Sequence, residues 1–272
     1  MTPAPADHLN LVIAGAARSA TTSLKHALAE HPQIAFLGRP DLVVDGADVG
    51  LPFAASTLAR SAAGDDPALY RTIARRVAGR VAWIGTKQPY FMVHPHIPLN
   101  LAAQIPDVRV LFILRDPVAA THSLFWHQHR HGQVSGTLEE AVDHALAAAH
   151  ALGDPERRDA WPAAADPRDM LIERMQYAEH IARYFRCLPR EQIHVVAFER
   201  FRDDPAASLA GVIEFLDLDP TFRSTRLDTP RNASPTDTPP LAPETRTRLE
   251  SILGPSKRRL RAMLGWPDDL WA

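Results

Sequence analysis

Residues 9–28, LNLVIAGAARSATTSLKHAL, constrain the fold of this chain more than any other stretch. Leu9, Leu11, Val12, Ile13 and Ala14 form an apolar run long enough for a buried strand. Gly15 then opens a loop of small residues. Beyond Ser19, Thr21 and Thr22 an amphipathic segment carries Leu24, Ala27 and Leu28 on one face. A strand that ends in a small-residue loop and turns into a helix creates an anion site. The first N–H groups of the helix have no intrahelical partner, and the helix dipole places partial positive charge there. Arg18 adds a full positive charge, and the hydroxyls of Ser19, Thr21, Thr22 and Ser23 add donors. Gly15, Ala17, Arg18, Ser19, Ala20, Thr21, Thr22 and Ser23 are therefore expected to cradle a phosphate-like group.

The usual nucleotide-triphosphate loop, G-x-x-x-x-G-K-[ST], does not fit: counting from Gly15 puts Ala20 at the second Gly and Thr21 at the Lys. The stretch G-A-A-R-S-A-T-T-S-L instead resembles the 5′-phosphosulfate loop of sulfotransferases that use 3′-phosphoadenosine-5′-phosphosulfate (PAPS). Their pattern is G-x-x-[KR]-[SG]-G-T-[TS]-[SA]-L, and Ala20 stands where Gly is usual. A simple strand–turn–helix is the competing reading of the stretch taken alone.

At 272 residues the chain has enough length for a substantial core. A net charge of −2 gives no whole-chain case for a polyanion-binding surface, so no nucleic-acid partner is expected and anion chemistry must be local. No apolar run approaches a membrane span, and the start MTPAPADHLN lacks a basic and then apolar leader, which points to a cytoplasmic protein. Cys187 is the only cysteine, which excludes an intrachain disulfide and a cysteine-based metal cage. Richness in Ala, Arg and Pro is compatible with a GC-rich bacterial genome.

Residues 32–64 read as an irregular stretch of loops and short pieces, a candidate flap over the site. In carbohydrate-type sulfotransferases the HP after the first helix precedes a Lys-Glu-Pro-like stretch whose Glu is the catalytic base. Here Gly38-Arg39-Pro40-Asp41 stands there, which makes Asp41 a candidate base; a surface-loop carboxylate is the alternative. Residues 66–79 have helical spacing through Leu69, Ile73 and Val77. The apolar run Val81 to Gly85 ends in Thr86 and Lys87, and with Gln88-Pro89-Tyr90 it again resembles the family, whose lysine at this strand end faces the sulfuryl group or acceptor. Open α/β sheets hold ligands at the carboxyl ends of their strands, which favours this role over a solvated lysine.

The third strand, Val108 to Leu114, is nearly continuous and apolar, as a central parallel strand should be. It delivers Arg115-Asp116-Pro117: Asp116 fits a helix N-cap and Pro117 the first helical position. R-D-P-V-A-A-T-H-S resembles the family's 3′-phosphate site, which implies that Arg115 and Ser123 hold the 3′-phosphate of PAPS. A guanidinium suits that role because its planar fork stays charged and donates two parallel bonds. The same helix carries His122, His127, His129 and His131. His127 and His131 at i, i+4 suggest a metal pair, but no third ligand stands out and no metal is expected. One of these histidines is the rival to Asp41 as general base.

Residues 137–152 form a helix opened by a Thr137/Glu140 capping box, 153–169 a loop, and 170–188 a helix burying Leu171, Met175, Ala178, Ala182, Phe185 and Leu188. Gln192 to Phe198 is the fourth strand, followed through Asp204-Pro205 by a helix to about Leu216. Arg231-Asn232 lies where family members carry a basic loop over the PAPS phosphates; a solvated loop is the other reading. Residues 241–264 form one or two helices, with Lys257, Arg258, Arg259 and Arg261 as a solvated face.

Alternating strands and helices predict an α/β fold with a central parallel sheet flanked by helices, in one domain spanning 1–272, with 41–64 and 227–240 as loops over the site. The resemblance implies a P-loop-like PAPS sulfotransferase fold. It also implies sulfuryl transfer from PAPS to a hydroxyl or amine of a glycan or small molecule, releasing 3′,5′-bisphosphoadenosine. Arg18 and Lys87 would supply cations and Asp41 or a histidine the base. The alternatives are a P-loop nucleotide kinase or phosphotransferase and a PAPS-binding protein without catalysis.

Overall fold

The apolar run that follows Asn10 becomes β1 (Leu11–Gly15), the middle strand of a sheet and buried along its whole length. The computed structural model describes residues 3–37, 43–44, 47–48, 79–151, 166–228 and 238–271. After β1 come α1 (Thr21–Leu28), β2 (Ile34–Leu37), a short antiparallel pair β3 (Val43–Val44) and β4 (Ala47–Asp48), β5 (Trp83–Lys87), α2 (Ile97–Gln104) and β6 (Arg109–Leu114). The rest is mainly helical: α3 (Pro117–Arg130), α4 (Leu138–Ala151), α5 (Tyr177–Cys187), β7 (Ile193–Ala197), α6 (Phe198–Asp203), α7 (Pro205–Phe215) and α8 (Pro243–Leu264).

The chain forms two units. The first comprises Met1–Met92, His96–Leu114 and Tyr184–Asn232; the second Val93–Pro95, Arg115–Arg183 and Ala233–Ala272. The first unit holds the whole five-stranded sheet, in the order β2-β5-β1-β6-β7, with every neighbouring pair parallel. The expected α/β architecture is therefore present. The edge strand β2 corrects the sequence reading, which placed 34–37 in an irregular stretch. Four residues are too few to show a period, and Ile34–Leu37 becomes a strand because it pairs with Trp83–Thr86 of β5.

Strands in the middle of a parallel sheet are covered on both faces, so their side chains are apolar without alternation. On one face Leu11, Ile13, Leu111 and Ile113 pack with Leu24 and Leu28 of α1 and Val212 and Ile213 of α7, all fully buried. Each such side chain is worth roughly 1.5–3 kcal/mol of transfer free energy. The amino-terminal end of the sheet is tied by polar groups. Asn10 donates from Nδ2 to the Ala82 carbonyl (3.0 Å) and accepts from the Ile84 N–H (2.8 Å). The Arg109 guanidinium reaches the Phe215 carbonyl (2.7 Å) and Asp217 (2.9 Å). The other, carboxyl end of the sheet carries the loop after β1. There the chain passes first to β2 and β5 on one side of β1 and later to β6 and β7 on the other, the kind of switch point where α/β sheets take ligands.

In the second unit α3 begins where the sequence predicts. The Asp116 carboxylate accepts the Ala119 N–H (2.9 Å), and Pro117 occupies the first turn. The capping box of α4 is reciprocal: Thr137 N–H to Glu140 Oε2 (2.9 Å) and Glu140 N–H to Thr137 Oγ1 (3.2 Å). The expected 170–188 helix is shorter. It starts at Tyr177, after a 3-10 turn over Glu173–Met175. Its buried stripe runs through Tyr177, Ala178, Ile181 and Tyr184, whereas Ala182 and Phe185 are only half-buried. The carboxyl-terminal stretch forms one helix, α8, which accommodates Pro255. Its predicted solvated face is also corrected: Arg258 and Arg259 are exposed, but Lys257 is 5% exposed. The helix reading of 66–79 falls almost wholly outside the described residues. No described helix is long and apolar enough to cross a membrane.

Candidate functional site

The loop between β1 and α1 is shaped by backbone requirements. A Cβ on Gly15 would stand 2.8 Å from the Met92 Cβ and 2.9 Å from its sulfur, so only glycine fits as the strand ends. Ala16 N–H then bonds to the Ile113 carbonyl (2.7 Å), holding the loop start against β6. Arg18 (φ 62°) and Ala20 (φ 61°) both adopt the left-handed conformation. These two reversals turn the chain into α1 within a few residues. Ser19, between them, is fully buried and donates toward the Ala17 carbonyl (3.4 Å).

Ala20 is the N-cap of α1 and has no side-chain oxygen to cap it. The first helical bond runs from the Leu24 N–H to the Ala20 carbonyl, so the N–H groups of Thr21, Thr22 and Ser23 lie ahead of the helical ladder. At α3 a carboxylate fills the same position; at α1 the chemistry of the end favours an incoming anion.

Lys87 is brought to this helix start. Register pairs Ile13 with Lys87, which carries the strand-end lysine alongside the end of β1, and Lys87 Nζ lies 3.3 Å from Thr22 Oγ1. Burial lowers the Lys87 pKa, and the neighbouring Lys25 ammonium lowers it further. Lys25 is a residue the sequence reading passed over. It sits on α1 one turn after Thr21, is buried, and its Nζ stands 5.9 Å from the centre of the Phe36 ring. Phe36 in turn lies over Gly85, where an added Cβ would meet the ring at 2.8 Å. The signal available in sequence was the helical spacing: Lys25 falls on the same face as Thr21 and Leu28.

Arg115 and Ser123 belong to the second unit, at the start and in the second turn of α3, and Ser123 is buried. The Asp116 carboxylate next to Arg115 accepts from Lys257 Nζ (3.2 Å) through Oδ2, while Oδ1 caps the helix. His122 Nε2 accepts from the Trp126 indole N–H (3.0 Å), and the nearby Pro239 carbonyl acts to raise the ring's pKa. Burial pushes its pKa down against the pull of that carbonyl, with Arg115 and Arg246 adding to the lowering. The His127 and His131 rings are 4.3 Å apart, and the His131 Nδ1 is 2.7 Å from the His127 carbonyl. Among the described residues, no three His, Cys, Asp or Glu side chains form a group suited to a metal ion. Asp41, Arg231 and Asn232 lie outside the described residues.

Comparisons with known proteins carry the same signal. The chain is 26% identical over 209 residues to human heparan sulfate glucosamine 3-O-sulfotransferase 6, covering 76% of this chain and 52% of that protein. It is 24% identical over 133 residues to human bifunctional heparan sulfate N-deacetylase/N-sulfotransferase 2, covering 48% of this chain and 14% of that protein. The chain thus spans about half, or far less, of the curated relatives it matches. Its fold matches the crystal structure of a sulfotransferase from Alicyclobacillus acidocaldarius with a TM-score of 0.73 at 21% identity, over 97% of this chain and 98% of that one. The sulfotransferase domain family matches residues 10–234. Most of the chain, including the loop after Gly15 and the Arg115 helix start, lies in that match, and the chain belongs to the sulfotransferase domain family.

Proposed function

We propose that this chain transfers a sulfuryl group from PAPS to a hydroxyl or amine of a glycan or small-molecule acceptor and releases 3′,5′-bisphosphoadenosine. The observation that carries the reading is the β1–α1 loop. A glycine that tolerates no Cβ, two left-handed residues and a helix start without a capping side chain form an anion cradle beside a half-buried lysine. The names of the heparan sulfate relatives favour a glycan acceptor. In this reading Gly15, Ala17, Ser19, Ala20, Thr21, Thr22 and Ser23 hold the 5′-phosphosulfate through backbone N–H groups and hydroxyls. Arg115 and Ser123 take the 3′-phosphate, and the Arg231-Asn232 loop closes on the phosphates.

Transfer forms a bond from acceptor oxygen or nitrogen to sulfur and breaks the bond from sulfur to the bridging oxygen. The electron pair of the broken bond stays on the 5′-phosphate. Arg18 and Lys87 stabilise that growing charge, a preorganised electrostatic effect of the kind that dominates phosphoryl transfer. The acceptor proton passes to a base, Asp41 in this reading, with a histidine of α3 as the alternative. No metal takes part in this scheme. A cytoplasmic setting is part of the proposal.

The test is calorimetry with 3′,5′-bisphosphoadenosine and with AMP in the presence of a chelator, followed by PAPS turnover on a panel of glycans, amines and phenols. Binding that strongly favours the bisphosphate without metal, with transfer to at least one acceptor, is expected. Equal affinity for AMP, or transfer that needs ATP and magnesium, refutes the proposal in favour of a kinase. Tight bisphosphate binding with no transfer to any acceptor makes the chain a PAPS-binding protein.

A further inference from the structure

His180 on α5 is a titratable ring with no exposure to solvent. Its partners fix its protonation. Nε2 lies 2.7 Å from the Glu173 carbonyl, in the 3-10 turn ahead of α5, and a carbonyl only accepts, so Nε2 carries the hydrogen. Nδ1 lies 2.5 Å from Arg183 Nη2, one turn along the helix, and a guanidinium only donates, so Nδ1 offers its lone pair. The ring is therefore neutral, in the Nε2–H form. Arg183 Nη2 also donates to the Val93 carbonyl (3.0 Å), 90 residues away in sequence. Val93 is buried, and it directly follows Met92, against which Gly15 packs. His180, Arg183, Glu173 and Val93 all belong to the second unit.

A proton added at Nδ1 is incompatible with this arrangement. It would consume the lone pair that Arg183 uses, turn one N–H against another, and place two cations side by side away from water. The charged group facing the ring is the Arg183 guanidinium, on its own helix. The 3-10 turn presents a backbone carbonyl to the ring, and the Val93 segment presents one to Arg183. Burial first, and then Arg183, hold the His180 pKa down from 6.5 to about 3, against the pull of the Glu173 carbonyl. Once the contact opens, the ring recovers its ordinary pKa of about 6.5 and takes up a proton that the closed form refuses. A histidine whose folded pKa is lowered gives its full stabilisation above the unfolded value. That contribution is lost as pH falls from 6.5 toward about 3.

We infer that His180 is an acid-sensitive latch: its neutral ring joins the 3-10 turn to α5 and, through Arg183, to the Val93 carbonyl, and protonation at Nδ1 releases these contacts. The latch lies within the second unit and does not depend on the nucleotide reading.

The experiment is amide hydrogen exchange on the full chain, read at Gln176, whose N–H shares the Glu173 carbonyl with the ring (3.1 Å). The reference is Ala16 of the first unit, whose N–H bonds to the Ile113 carbonyl. Between about pH 7.5 and about pH 4.5 the Gln176 protection factor should fall about a hundredfold, tenfold for each unit below about 6.5, while Ala16 keeps its protection. In His180→Gln, whose amide can donate to one partner and accept from the other without titrating, that fall should be absent. Equal pH dependence at Gln176 in the variant and the wild type overturns the latch. A parallel loss at Ala16 also overturns it, because acid would then be unfolding the whole chain. If His180→Gln does not fold, nitrogen NMR of the wild-type ring decides. A neutral Nε2–H ring at about pH 5 is expected; a ring that titrates near about 6.5, or carries its hydrogen on Nδ1, overturns the inference.

Discussion

Replacing Ala20 with glycine should stabilise the protein relative to the same replacement at Ala29. Both residues flank α1, Ala20 as its N-cap at φ 61°, ψ 21° and Ala29 as its C-cap at φ −67°, ψ −12°. A left-handed L-residue costs roughly 1–2 kcal/mol because its Cβ crowds the following carbonyl, and glycine has no such cost. Glycine also gains freedom in the unfolded chain, worth about 0.4–1 kcal/mol against stability. That second term is common to both substitutions and cancels in their difference. The Ala20 methyl is half-buried against the core while Ala29 is exposed, so Ala20→Gly also loses a fraction of the roughly 0.8 kcal/mol of a buried methylene. The difference left is about 1 kcal/mol in favour of Ala20→Gly, or roughly 2 °C or slightly more in Tm for a chain of this size. Paired urea and thermal unfolding of the two variants and the wild type, without nucleotide, measures it. If both lose the same stability, the left-handed residue carries no strain and the account of the loop is wrong. If Ala20→Gly also keeps nucleotide affinity, alanine at this position is a tolerated departure from the family's glycine.

Arg115→Ala should weaken the preference for the bisphosphate over AMP by about ten- to a hundredfold in calorimetry, each tenfold being about 1.4 kcal/mol. Lys87→Ala should lower turnover by about 10²–10³, the usual cost of losing one preorganised charge-stabilising group, while bisphosphate binding stays near normal. Asp41→Asn should reduce turnover by at least about 10² with PAPS affinity kept, and the wild-type rate should fall below a carboxylate pKa rather than near about 6.5. His122→Ala should lower Tm and leave the shape of that pH profile unchanged, since Nε2 already accepts from the Trp126 indole; a profile that moves would give the base role to His122. Glu30 supplies a pH dependence of stability. The Ser224 hydroxyl first, then Thr225, hold its pKa down from 4.5 to about 2. A depressed folded pKa stabilises fully above the unfolded value and loses that contribution as pH falls from 4.5 through about 2. Glu30→Gln should therefore lower Tm at neutral pH and flatten its acid dependence in that window; an unaltered acid slope rules the assignment out.

The sequence by itself determined the features that act over a few residues. The apolar runs at 11–15, 83–87, 109–114 and 193–197 are strands because a buried parallel strand needs little beyond continuous apolar character. The helix start at Asp116-Pro117 and the Thr137/Glu140 box follow from side chains within three positions of the backbone groups they satisfy. The small-residue loop after β1 was legible for the same reason, since glycine, small residues and a helix start are consecutive in the chain. Tertiary structure decided what depends on distant partners. Ile34–Leu37 is a strand only because β5 lies beside it, and Gly15 must be glycine because Met92 closes on it. Spacing puts Lys25 on the Thr21–Leu28 face, but only the packed structure buries it beside Lys87. His122 Nε2 is taken up by the Trp126 indole N–H, and no count of histidines along α3 reveals that. Lys257 reads as one more cation on a polar helix until Asp116, 141 residues away, takes it out of water. Caps and apolar runs are set by neighbours in sequence, whereas the state of a charge is set by which distant groups remove its water.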